Sequence, residues 1–172
     1  MKNYVLPIAL TFLFSCDPGE KKIETNTKKI EVSKHIGLIE YDPLVDTLSF
    51  DVCDENLVYP YFHHKDLSFK GEKPAMVNKY KMLFEPTGKP GSGCITIRFI
   101  VNCYGETGRF RVIQMDKNYH LKSFSKNLVS QLLEVTKSLQ GWDVLYEDGR
   151  SYDYVRYVTF KIHEGKIMDI MP

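Results

Sequence analysis

Four cysteines, at positions 16, 53, 94 and 103, are the residues best suited to do chemistry in this chain. Cys16 closes the segment Leu13-Phe14-Ser15-Cys16 at the end of an apolar run, and a thiol there can accept a diacylglycerol group through sulfur. Cys94 and Cys103 fall on one expected strand, about 30 Å apart at the rise of extended chain and far beyond disulfide reach. If a bridge forms among the three remaining thiols, Cys53 must therefore take part. Cys103 is favoured as its partner, because it continues the core-face register near a turn that the preceding segment can cross; pairing with Cys94 stays open, and so do three free thiols. Other constellations point to less. No spacing identifies a histidine beside Cys94 or Cys103 as a base for thiol catalysis. His63 and His64 are adjacent, so on a strand they face opposite ways and cannot chelate one ion together. His35, His120 and His163 are scattered over tether, loop and strand. Asp116, Glu134 and Asp153 read as polar loop and surface groups in preference to a paired-carboxylate site. Residues 87–93 hold three glycines, but they follow a helix and precede a strand, the reverse of a phosphate-binding loop. Arg98, Arg109 and Arg111 cluster on the polar face of a hairpin, as an anion-binding patch or as the solvated face that keeps a sheet soluble. No catalytic residue, metal ligand or cofactor is assigned.

The N-terminus carries the strongest address. One basic residue, Lys2, precedes the run from Tyr4 to Phe14, which contains Pro7 and is shorter than the ~20 residues a spanning helix needs. It fits the core of a signal peptide over residues 1–15, and Leu13-Phe14-Ser15-Cys16 matches the bacterial lipobox. An exported, lipid-anchored protein of the cell envelope is expected, the outer membrane favoured and the side of it left open. Removing residues 1–15 takes only Lys2 from the 23 basic residues, leaving 22 against 22 acidic ones. A balance like that gives no reason to expect a nucleic-acid or anionic-membrane surface. From 16 to about 60 the sequence is polar, with a possible short strand through Leu48, Phe50 and Val52, and reads as a tether.

The elements that must position everything else lie in residues 61–172. Ile95, Ile97, Phe99, Val101 and Cys103 alternate with Thr96, Arg98 and Asn102, the period of a half-buried strand, with Cys94 and Ile100 as apolar exceptions. Gly105 and Gly108 bracket a reversal, and a return strand puts Phe110 and Val112 on one face, with a bulge expected near residues 113–115. Pro74 suits the first turn of a helix that continues through Met76, Val77, Tyr80, Leu83 and Phe84 to Pro86. Phe124, Leu128, Leu132, Val135 and Leu139 mark a second, amphipathic helix, with Ser123 as its N-cap and Gly141 as its stop. Residues 151–162 form a long strand with Tyr154, Val158, Phe160 and Ile162 on one face, and residues 167–170 a short last one. The implied class is α+β: a small antiparallel sheet, a long hairpin plus C-terminal strands, with helices on one face.

Phe69-x-Gly71, the short helix to Tyr80, Gly93-x-Ile-x-Ile-x-Phe-x-Val101, Gly105, the helix ending at Trp142 and the closing strand resemble the TonB C-terminal domain. The resemblance is nearest to the divergent TonB-like domains of Bacteroidota envelope proteins, and it covers roughly residues 69–170. The energy-transducing members carry a membrane helix and a proline-rich span, whereas this chain has a lipobox. Phe84-Glu85-Pro86 stands where a Tyr-Pro pair is usual, and Asp143-Val144 where Pro-Gly follows the tryptophan. What the resemblance implies is a binding module that pairs a sheet edge with an extended segment of a protein or peptide partner, without energy transduction of its own. It points beside the last long strand, so strand addition is expected along residues 152–158, with Tyr152, Tyr154 and Arg156 as contacts. The other readings are an envelope enzyme and a structural accessory of an envelope complex.

Overall fold

The computed structural model describes residues 38–63, 69–86 and 91–171. The lipobox with Cys16, together with His35 and His64, lies outside them. Eight elements follow in order: β1 (Val58–Tyr59), α1 (Glu72–Leu83), β2 (Gly93–Val101), β3 (Thr107–Met115), α2 (Lys126–Lys137), β4 (Leu145–Glu147), β5 (Arg150–His163) and β6 (Lys166–Met171). The fold is α+β, with a six-stranded sheet in the order β1-β5-β2-β3, β4 and β6 also pairing with β5. All described residues belong to one compact unit, Ser33–Pro172.

The alternating stretch of β2 folds as its period demands. Ile95, Ile97, Phe99 and Val101 are buried on the helix side, between β3 and β5. Across that face α1 contributes Met76 and Tyr80, and α2 contributes Leu128, Leu132 and Val135. Trp142, just after α2, packs edge-on to Phe69 and against Phe99, both at ring-centroid distances of 5.2 Å. The two helices are also pinned by polar atoms. The Thr136 hydroxyl donates to the Leu132 carbonyl at 2.6 Å, so the buried Tyr80 hydroxyl donates to Thr136 Oγ1 at 2.8 Å.

Local chemistry sets the ends of the elements. The α2 N-cap is Ser125, not Ser123: its Oγ accepts from the Leu128 amide, while the Phe124 amide is held by Gln114 Oε1 at 2.8 Å. The β2–β3 turn is built by Asn102, whose Oδ1 accepts from the Tyr104 and Glu106 amides at 3.0 and 2.9 Å, with Gly105 at φ +82°. The bulge lies at Arg109 and Phe110 opposite Phe99, earlier than residues 113–115, with Arg109 at φ +52°. Gly108 is inside β3, where any Cβ would meet the Phe50 ring at 2.1 Å. Two tight hairpins join β4 to β5 and β5 to β6, each with positive φ at two central residues, Asp148-Gly149 and Glu164-Gly165.

Three expectations are corrected. The sheet is mixed and not wholly antiparallel, because β1 runs parallel to β5 through Val58–Asp153 and Tyr59–Tyr154. Residues 38–57, expected in a tether, lie against the second face of the sheet. There Ile39, Phe50, Val52 and Val58 cover Ile100 and Val155, which explains the apolar residue at position 100. Finally, β5 is an interior strand. Tyr154 pairs with Val101 on one side and Tyr59 on the other, and residues 159–162 likewise lie between β2 and β6.

Candidate partner-binding face

The arm of residues 38–57 is tied down at three places. Cys53 and Cys103 are joined in a disulfide, with Cα atoms 6.2 Å apart. Beside it, the buried Asp153 accepts from the Asp54 amide at 2.8 Å and the Cys103 amide at 3.0 Å, so one carboxylate clamps both sides of the bridge. These two sulfurs and Asp153 are grouped closely enough for a metal ion, but the sulfurs are bonded to each other and the carboxylate oxygens serve amides. The third tie is electrostatic. Arg111 holds Asp46 with both terminal nitrogens, at 2.7 and 2.6 Å, and donates to the Glu40 carbonyl. The bond from Arg111 holds the Asp46 carboxyl below the usual carboxylate range, against the opposing pull of burial. The same bond raises Arg111.

The arginines of the hairpin are not equivalent. Arg109, buried on the arm side, donates to Glu55 with both terminal nitrogens and to the Ile39 carbonyl. Arg98 stands directly opposite Arg111 on one side and Tyr157 on the other. Its Nη2 is buried without a hydrogen-bond partner among the described residues. Burial pulls Arg98 below the ordinary arginine value, and the Tyr61 hydroxyl is the titratable neighbour that counters it. A cavity of about 440 Å³ opens between Arg98, Arg111 and the arm from Leu38 to Pro43.

Apart from the arm's hold on Arg111 and the Tyr61 ring on Tyr157, the second face is half-buried or exposed among the described residues. It carries the rows Arg111–Arg98–Tyr157, Ile113–Thr96–Thr159 and Met115–Cys94–Lys161, with the Thr96 and Thr159 hydroxyls bonded at 2.9 Å. Tyr61 stands edge-on to Tyr157 with ring centroids 5.0 Å apart, and Phe62 beside it is 57% exposed. At the far end a cavity of about 460 Å³ is lined by Ser92, the free Cys94, Asp116, Lys161 and His163. The His163 ring bonds Ser92 Oγ at 3.2 Å through Nδ1, a nitrogen then not directed at the thiol.

The expected contact residues sit elsewhere. Tyr152 and Tyr154 face the helices and are 7% and 2% exposed; the Tyr154 hydroxyl donates to the Asp143 carbonyl, and burial raises its pKa. Arg156 shares that face, half-buried over the Tyr154 ring at 5.7 Å. They therefore form no exposed row. Even-numbered positions of β5 point to the helix layer, and it is the odd-numbered Tyr157 that reaches the second face. One part of the expected edge is nonetheless unpaired. Between Tyr154, the last partner of β1, and Thr159, the first of β6, residues 155–158 have no strand neighbour on that side among the described residues. Pro60 ends β1 there, having no amide to extend the ladder, and the chain turns with the His63 amide on the Pro60 carbonyl at 3.0 Å. The opposite edge, β3, is blunted: the Lys122 amide takes the Gln114 carbonyl and the Arg111 guanidinium takes that of Phe110.

The sequence did carry signals for this face. Ile100 and Val155, apolar on the side away from the helices, mark where the arm lands, and Asp148-Gly149 marks the β4–β5 hairpin. No helix among the described residues is long and apolar enough to cross a membrane. Compared with known protein families, curated proteins and solved structures, the chain matches none.

Proposed function

We propose that the chain is a binding module of the bacterial cell envelope, anchored by lipid at Cys16, which holds a protein or peptide partner against the part of its sheet beyond the arm. The observation that carries this reading is the break in pairing at residues 155–158 of β5, which no described strand fills, beside the Tyr61, Phe62 and Tyr157 rings. An interrupted sheet edge next to exposed aromatic rings combines backbone hydrogen-bonding capacity with apolar contact area, the two things an extended segment needs. The resemblance to TonB-like domains supports the same class of activity, with the contact shifted from Tyr152 and Tyr154 to the odd-numbered side of β5. Energy transduction is not part of the proposal.

A photo-crosslinking side chain placed at Phe62 in cells should give discrete adducts, and one at Met82, 81% exposed on α1, should not. Equal adducts at both, or adducts at Met82 alone, would remove the proposed face. For the anchor, Cys16→Ser should abolish lipid labelling and release the protein from the detergent phase. A Ser variant that is still labelled refutes the lipidation.

A further inference from the structure

We infer that Arg98 is the receptor for the free C-terminal carboxylate of a partner segment whose last side chains are apolar. This rests on the binding-module reading and names the chemistry of its ligand.

Of the three hairpin arginines on the arm-side face, Arg98 alone has no counterion among the described residues. Arg109 is matched by Glu55, and Arg111 by Asp46. Asp42 has its Oδ1 on the Leu44 amide, within its own turn, and Oδ2 of Asp46 also accepts from the Asp42 amide. Glu40 lines the same cavity from the rim, exposed to solvent, and only its carbonyl serves Arg111. No hydrogen bond or ion pair engages Arg98 among the described residues, and its Nη2 is shut off from water at the cavity wall. A guanidinium partly removed from water without an acceptor is costly to the free protein, and a carboxylate recovers that cost by two parallel charge-assisted hydrogen bonds.

Two further features select the ligand. Beside its acidic Glu40 and Asp42, the cavity wall offers apolar contact: Leu38 and Tyr41 line it and are each 43% exposed. Among the described residues the break in β5 spans residues 155–158, bounded by the turn at Pro60 on one side and by Met171 of β6 on the other. A strand running through would collide with both, so a segment that ends there fits where a continuous one does not. Tyr157, inside the break, is the cross-strand neighbour of Arg98, which brings the end of such a segment to the guanidinium.

The test uses the detergent-purified full chain and three probes: N-acetyl-leucyl-leucine with a free carboxylate, its C-terminal amide, and an amidated peptide with one internal glutamate. Calorimetric titration should find the free acid binding at least about tenfold more tightly than either amidated probe. Arg98→Met should reduce the acid to the level of the amide, while Lys117→Met leaves it unchanged. In the unsubstituted protein the Arg98 side-chain Nε resonance should shift with the acid and not with the amide, which decides the matter even if Arg98→Met folds poorly. Equal affinity for acid and amide, a shift confined to other arginines, or no binding of the acid overturns the inference. So does preference for the internal glutamate, or displacement of the acid by equimolar sulfate. Adducts at Phe62 without acid binding would remove Arg98 as receptor while leaving the binding face in place.

Discussion

Replacing Asp153 by asparagine keeps the size of the side chain and changes one oxygen into an NH₂ group. In the folded chain both oxygens are used, by the Asp54 amide at 2.8 Å and the Cys103 amide at 3.0 Å, and the residue is 1% exposed. Whichever way the new amide turns, one backbone N–H loses its acceptor and faces another donor. Losing a hydrogen bond to a charged acceptor and leaving the buried donor without a partner costs about 3 kcal/mol in all, the upper end of the range for one such group. For a domain of this size that corresponds to a fall of about 10 °C in midpoint temperature. Urea unfolding at neutral pH, followed by circular dichroism, measures the loss. Amide exchange locates it: protection should fall first at Asp54 and Cys103 and through the arm, while the Ile95, Ile97 and Val158 amides keep theirs. A loss under about 0.5 kcal/mol, or one spread evenly through the sheet, would mean that the carboxylate does not clamp the arm.

Reducing the Cys53–Cys103 bridge, or replacing both residues by serine, opens a loop of sequence separation 50, for which chain entropy gives about 4 kcal/mol. The denatured, unreduced and lipidated protein should titrate one thiol, Cys94; three thiols refute the bridge. The Asp46–Arg111 pair sets an acid response. Because the folded pKa of Asp46 is depressed, its contribution is fully present above the unfolded value near 3.8 and is lost as pH falls through the lower folded one. Lowering the pH through that window should loosen the arm, seen as faster exchange at Val45 and Asp46. Asp46→Asn should loosen it at pH 7 and flatten the response, and an unchanged pH profile would remove the pair from this role.

The sequence by itself determined what is local in the chain. Alternation placed Ile95, Ile97, Phe99 and Val101 on a buried face and Tyr154, Val158, Phe160 and Ile162 together on another, because side chains reverse with every residue of a strand. Helical spacing likewise located Leu128, Leu132 and Val135. Only the tertiary structure decided which strands are interior and where the second face is covered. That β5 lies between β2 on one side and β1 with β6 on the other depends on a two-residue strand 95 positions away in register, and backbone pairing leaves no mark on side-chain period. The arm was illegible for a related reason. Ile39, Phe50, Val52 and Val58 are sparse and follow no period, and they gain burial only once Ile100 and Val155 have been brought side by side. The same holds for Arg98. Its residue type was readable, but its lack of a counterion emerges only after Asp46 and Glu55, distant in sequence, have been taken by Arg111 and Arg109.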